Sequence, residues 1–174
     1  MADFYPYLIS SLPMLHFGMH PQLSSDKLLE ICRGLIPEKD YTILSSLPLA
    51  QEKAPEEVGQ ATIKQWLRFD TTLRNELVKL RATRKHIDAS QYLRHDGYAA
   101  GELAHIALAA VRNSSIADGE RFLDQERWRA LDELSFGHFF DLDALIIYAY
   151  KLRLLERWEK IRVADKEGLF NAYV

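Results

Sequence analysis

The sequence predicts an all-α fold, a helical bundle that forms either one domain or two lobes. Apolar residues recur at helical spacing over long runs, and no stretch alternates apolar and polar residues for long enough to form a strand. Proline, which interrupts helices, is absent after Pro55. The 174 residues, 48% of them hydrophobic, are sufficient to build a core.

The N-terminal third is predicted to consist of short elements. Proline and glycine interrupt residues 4–23, which we expect to be extended or irregular. Ser24 or Ser25 is expected to cap a short helix, and Pro37 stands where a first-turn proline opens the next one. Residues 46–56 are interpreted as a linker.

Two long helices dominate the remaining chain, at about 56–85 and about 141–166, because apolar residues keep a helical period through both. Between them we expect an alanine-rich helix over 98–111 and a further helix capped by Ser114 or Ser115. The organisation is either one domain over 1–174 or two lobes. In the second case the lobes are 1–54 with the C-terminal helix, and 55–137.

Composition argues against several classes of protein. The 22 basic and 25 acidic residues leave a net charge of −3, whereas nucleic-acid binders are usually basic. Cys32 is the only cysteine, which leaves no disulfide framework or Cys-based zinc site. Charged residues interrupt the most apolar stretch, 139–155, and argue against a membrane span. The chain starts without a signal-peptide pattern, so we expect a cytoplasmic protein, peripheral to the inner membrane at most through a complex.

One residue spacing is typical of a metal site. Glu102 and His105 lie three residues apart and share a helical face, as in di-iron carboxylate bundles. Such a centre needs a second Glu-x-x-His pair and two further glutamates, and Glu133 is followed three residues later by Phe136. We therefore predict no metal and no cofactor, and keep Glu102 and His105 as the alternative.

A second group, His138 with Asp141 and Asp143, could form an acid–base cluster. Asp141 also stands where a carboxylate caps the last helix and complements its dipole. The capping interpretation is preferred, so no catalytic residue is predicted.

The basic run Arg81, Arg84, Lys85 and His86 ends the long helix over 56–85. Cations suit the C-terminal end of a helix dipole, and the same cations could bind an anionic partner. We prefer the first interpretation and retain the second.

Both ends of the chain are rich in aromatic residues. The start, Phe4-Tyr5-Pro6-Tyr7, is costly to leave in water, so we expect it to pack against the helices. In residues 148–158 apolar side chains nearly encircle the predicted helix. Such a helix is either buried between neighbours or lends one face to a partner.

Four segments carry a resemblance to a known family. They are Tyr5-Pro6-Tyr7-Leu8-Ile9-Ser10-Ser11-Leu12-Pro13, Phe69-Asp70-Thr71-Thr72-Leu73-Arg74-Asn75-Glu76-Leu77, Arg127-Trp128-Arg129-Ala130-Leu131 and Tyr148 to Trp158. The chain resembles, over nearly its whole length, an uncharacterised bacterial family often encoded among V-type ATPase subunits. It is more distantly similar to the C-type subunit of V-type ATPases, the helical socket that joins the rotor stalk to the membrane ring of proteolipid subunits.

The resemblance implies a non-catalytic accessory or central-stalk subunit of a bacterial V-type ATP synthase/ATPase. Such a protein would link stalk and proteolipid ring through protein–protein contacts, without binding nucleic acid. We expect partner contacts at Tyr5, Tyr7, Leu8, Arg74, Arg81, Arg84, Lys85, Tyr150, Arg153 and Trp158. The alternatives are a helical-bundle metalloprotein or enzyme that uses Glu102 and His105, together with His138 and Asp141, and a cytosolic adaptor whose basic run binds an anionic partner.

Overall fold

A computed structural model describes residues 4–48, 54–94 and 101–172, with side chains as far as residue 164. This part of the chain contains α-helices and short 3₁₀ turns but no strand, which confirms the predicted all-α class. The helices are α1 (Pro6–Ser11), α2 (Ser25–Cys32), α3 (Glu38–Ser45), α4 (Ala61–Lys85), α5 (Leu103–Val111), α6 (Ile116–Leu134) and α7 (Leu142–Ala172).

The contacts divide the chain into two compact units. The terminal unit comprises Met1–Leu47 and Ser135–Val174, and the central unit comprises Pro48–Leu134. In the terminal unit α2, α3 and α7 pack against one another, and in the central unit α4, α5 and α6 do so.

Helix α7 forms the centre of the terminal unit. Most of its first four turns are buried, including Leu145, Ile146, Ile147, Ala149, Tyr150, Leu152, Leu154 and Leu155. The Tyr148 hydroxyl donates to the Pro13 carbonyl at 2.9 Å, and the Arg153 guanidinium donates to the Leu47 carbonyl at 2.9 Å. The apolar residues that nearly encircle this helix are therefore mostly buried by other parts of the chain.

Three expected helix caps are present. The Ser24 hydroxyl accepts from the Lys27 N–H at 3.1 Å, and the Ser115 hydroxyl accepts from the Asp118 N–H at 3.0 Å. The Asp141 carboxylate accepts from the Ala144 N–H at 3.0 Å and opens α7. Each cap satisfies an N–H that has no partner inside its helix.

The prediction of an irregular 4–23 segment is wrong where α1 forms. Pro6 occupies the first turn of α1, where its fixed φ suits a helix and its missing N–H costs nothing. The first long helix also begins later than 56, at Ala61, because the Gln60 side chain accepts from the Ile63 N–H at 2.8 Å. Pro55–Glu57 forms a separate 3₁₀ turn.

The two later helices differ from their predicted bounds in different ways. α5 begins at Leu103, and the predicted helical residues 98–100 lie outside the described residues. α7 continues to Ala172, beyond the predicted end at about 166.

The core of the central unit is formed by Leu73, Leu77, Ala107, Ala110 and Leu123. Gly119 in α6 permits close packing, because a Cβ added there would lie 2.7 Å from the Ala110 carbonyl oxygen of α5. No helix in the described ranges has the length and apolarity that a membrane crossing requires.

Candidate functional site

The terminal unit exposes several aromatic side chains to solvent. Tyr7 is 92% and Phe136 is 91% exposed, whereas aromatic rings in soluble proteins are mostly buried at least in part. Exposed apolar area of this kind commonly marks a binding surface. We call the following set the aromatic surface: Phe4, Tyr7, Phe136, Phe139 and Phe140.

Backbone contacts bring the two segments that carry the aromatic surface together. The Tyr5 N–H donates to the Phe140 carbonyl at 2.5 Å, so the start of the chain runs beside the loop before α7. Tyr5 itself is buried, and its hydroxyl donates to the buried carboxylate of Asp40 in α3. This anchor leaves the neighbouring side chains of Phe4 and Tyr7 in solvent.

The loop between α6 and α7 carries the other three rings. Gly137 has a φ of +87°, a conformation that an L side chain rarely adopts, and the His138 N–H donates to the Ser135 carbonyl at 3.0 Å. The loop is therefore a defined turn. It presents Phe136 and Phe139 to solvent, and its backbone forms hydrogen bonds at Ser135, His138 and Phe140.

A charge cluster lies in the same loop. His138 Nδ1 lies 2.6 Å from Asp141 Oδ2 and 3.8 Å from Asp143 Oδ2, and all three side chains are half-buried. The hydrogen bond to Asp141 raises the pKa of His138; partial burial opposes this, and the charges of both aspartates add to it. The imidazole is therefore held in its charged form over a wider pH range than a free histidine.

Among the described residues, His138, Asp141 and Asp143 alone bring three potential metal-ligand atoms within 4.8 Å of one another. Their polar atoms already have partners, however. One oxygen of Asp141 caps α7, and the other lies at Nδ1 of His138, the nitrogen nearest both carboxylates. A metal ion would have to displace a proton that this arrangement stabilises, so the cluster is better explained as a helix cap with a charged neighbour.

Glu102 and His105 are both exposed at the start of α5. They belong to no set of three clustered ligands in the part of the chain that the structure describes. The exposed position of His105 excludes the role of a core histidine. A di-iron site needs further carboxylates beside such a pair, and the described residues bring no third ligand atom to it.

Several predicted partner-contact residues are engaged within the chain. Tyr5, Leu8 and Tyr150 are buried in the terminal unit, and Trp158 is half-buried. Arg153 donates to a backbone carbonyl and lies over the Tyr150 ring, 5.8 Å from its centroid. Of the expected contacts in this unit, Tyr7 is the one that the fold leaves open to solvent.

The predicted contacts of the central unit lie along α4. Arg74 is half-exposed, and its Nε donates to Asp70 Oδ2 at 2.8 Å. Arg81 and Arg84 border a cleft near the C-terminal end of α4, whereas Lys85 is exposed and does not line it. The basic run therefore lies partly at the rim of this cleft and partly on open surface.

Sequence reasoning missed a buried ion network in the central unit. Arg127 of α6 donates to Asp70 of α4 at 2.7 Å and to Asp124 at 2.8 Å. Burial alone would raise the pKa of Asp70, but the charges and hydrogen bonds of Arg127 and Arg74 outweigh it, and the pKa is lowered. The sequence does contain a sign of this network. Asp124 and Arg127 are charged residues that adjoin the apolar residues Leu123 and Trp128 of the same helix.

Comparison with known families gives a match over the C-terminal part of the chain. Residues 102–174, less than half of the chain, match a family described as "Protein of unknown function (DUF2764)". The matched range holds α5, α6 and α7 and includes the loop with Phe136, Phe139 and Phe140. No curated protein and no solved structure matches the chain.

Proposed function

We propose that this chain is a non-catalytic helical subunit that binds a protein partner through the aromatic surface. The observation that carries the proposal is the exposure of five aromatic rings on two backbone segments joined by a hydrogen bond. Aromatic residues are enriched at protein–protein interfaces and depleted from ordinary exposed surface.

The size of the surface fits this role. Rings of this kind bury about 150–250 Å² each, so the exposed fractions amount to roughly 550–900 Å² of apolar surface. A standard interface buries about 800 Å² on each partner. The five rings could therefore provide the apolar part of one interface. The charged cluster of His138, Asp141 and Asp143 belongs to the same loop and the first turn of α7.

The partner we propose is a bacterial V-type ATP synthase/ATPase, at its central stalk or proteolipid ring. This choice is supported by the resemblance of the sequence segments to a family encoded among V-type ATPase subunits. Its mechanism would be mechanical: a packed helical body attached by a broad apolar contact transmits force without carrying out a chemical step.

The experiment is affinity purification from native cells under gentle conditions. We expect tagged wild-type protein to recover V-type ATPase subunits, identified by mass spectrometry. The triple variant Tyr7→Ser, Phe136→Ser, Phe139→Ser should lose at least nine-tenths of this recovery, because it removes three highly exposed rings outside the Tyr5 anchor.

The matched control is Tyr92→Ser, which removes an exposed aromatic ring from the central unit and should leave recovery unchanged. Circular dichroism checks that each variant keeps its helices. Equal recovery by the triple variant would overturn the role of the aromatic surface. Binding of wild-type protein to anionic lipid vesicles, lost in the triple variant without any ATPase subunit recovered, would indicate a membrane-binding surface instead.

A further inference from the structure

The central unit contains a cleft that the proposed function does not use. It has a volume of about 350 Å³ and lies among the C-terminal part of α4, the end of α5 and the first turns of α6. Ligand sites typically measure about 300–1,000 Å³. The cleft is therefore large enough for a small molecule.

The floor of the cleft is apolar. Leu77, Ala110 and Leu123 belong to the core of the central unit, and Leu80 packs against that core. Close packing of α6 on α5 at Gly119 forms one wall. An apolar group placed here would displace water from surface that is continuous with the core.

The rim of the cleft is positively charged. Arg81 pairs weakly with Glu120, with 3.8 Å between the guanidinium and the carboxylate. Arg84 forms no ion pair with any residue in the described ranges. The two arginines and one glutamate leave a net positive charge at the mouth, which favours an anionic group above the apolar floor.

We propose that this cleft binds a small carboxylate with an apolar chain, whose carboxylate pairs with Arg84 and Arg81 and whose chain covers the leucine floor. At about 30 Å³ for each non-hydrogen atom, the volume accommodates about a dozen such atoms. A carboxylate with a chain of about eight to ten carbons meets this limit. The inference concerns the central unit alone and does not depend on the aromatic surface.

The test uses octanoate as the probe, followed by NMR of the isotope-labelled full chain in about 150 mM salt. Octanoate should shift the methyl signals of Leu77, Leu80 and Leu123. Acetate, which lacks the chain, should shift none of them, and 1-octanol, which lacks the charge, should bind at least tenfold more weakly.

Variants test which charged residues are needed for octanoate binding. Arg84→Gln should weaken octanoate binding at least tenfold, and Ser114→Trp should abolish it by filling the mouth of the cleft. Lys85→Gln is the matched control, because Lys85 adjoins Arg84 in sequence but does not line the cleft; its affinity should stay within twofold of wild type.

Two results would overturn the inference. One is octanoate binding that Arg84→Gln leaves unchanged, and the other is methyl shifts that occur away from the cleft. Should Ser114→Trp fail to fold, Arg81→Gln provides a second rim variant, and it should also weaken binding. Neither result changes the interpretation of the recovery of V-type ATPase subunits, because that experiment tests the aromatic surface and not the cleft.

Discussion

Arg127 shows how single residues stabilise the central unit. Its guanidinium is 7% exposed and lies between the carboxylates of Asp70 and Asp124, which are 6% and 0% exposed. Buried charges of this kind need complete pairing, because removal of one partner leaves the others without compensation. The network joins α4 to α6 through the bond between Arg127 and Asp70.

Arg127→Met should lower the free energy of unfolding by about 3–5 kcal/mol at pH 7, because it keeps much of the apolar stem but removes the guanidinium that pairs with Asp70 and Asp124. Urea unfolding followed by circular dichroism measures the change. Arg129→Met is the control: its side chain is exposed, and the loss should be at most about 1 kcal/mol.

The pH dependence of this loss provides a second test. In wild type, the lowered pKa of Asp70 means that its ionised form stabilises the fold fully above the unfolded pKa of about 4, and the contribution is lost as pH falls through the lower folded value. In Arg127→Met the carboxylate of Asp70 loses one of its two neighbouring cations, and its pKa rises. The loss of stability should therefore shrink between pH 7 and pH 4, and a loss that stays constant would contradict this account.

His138 provides a prediction about proton affinity. Its pKa should exceed 6.5, and Asp141→Asn should lower it, because asparagine keeps a cap for α7 but removes the charge beside Nδ1. Since the folded pKa is raised, the associated stability is complete below the unfolded pKa and is lost as pH rises through the folded value. Titration of the ring proton by NMR measures the pKa in both proteins, and an unchanged pKa in Asp141→Asn would refute the assigned cause.

At the scale of elements, Glu156 of α7 shows how the long helix organises the short ones. Its carboxylate accepts from the Ser25 N–H and the Ser25 hydroxyl, each at 2.6 Å, at the N-terminal end of α2. A carboxylate here satisfies a helical N–H that has no partner within α2 and complements the dipole.

Glu156→Ala should lower the free energy of unfolding by about 1.5–3 kcal/mol, the usual contribution of hydrogen bonds to a charged group. Amide hydrogen exchange should accelerate first in α2. Glu159→Ala, about one turn later in sequence, removes a pair with Arg162 and His20 and should leave exchange in α2 unchanged. Equal exchange rates in α2 for Glu156→Ala and wild type would contradict the capping role.

Elements that depend on local chemistry can be predicted from the sequence. The caps at Ser24, Ser115 and Asp141 depend on side chains next to their own helix, and all three are present. Helix α1 escapes prediction when Pro6 is treated as an interruption, although a first-turn proline favours a helix. The sequence could not predict that Glu156 caps α2, because its partner Ser25 is 131 residues away in sequence.

The aromatic surface, too, depends on contacts between residues that are distant in sequence. The aromatic start and the final helix are both expected, from the sequence, to pack or to bind a partner. The fold buries Tyr5, Leu8 and Tyr150 and leaves Phe4 and Tyr7 exposed beside the loop that carries Phe136. A sequence pattern indicates that rings are present but not which of them the tertiary contacts cover.

For the molecule as a whole, we propose that the aromatic surface recruits a protein partner. In the described part of the terminal unit, the charge cluster of His138, Asp141 and Asp143 caps α7. The aromatic side chains of the same unit remain exposed to solvent.

Recruitment of the partner is measured by the quantitative recovery of V-type ATPase subunits with three tagged proteins: wild type, the triple variant Tyr7→Ser, Phe136→Ser, Phe139→Ser, and the control Tyr92→Ser. We predict recovery by wild type and Tyr92→Ser and its loss in the triple variant. Absence of these subunits from the wild-type sample, or their full recovery by a folded triple variant, would show that the aromatic surface does not recruit this partner.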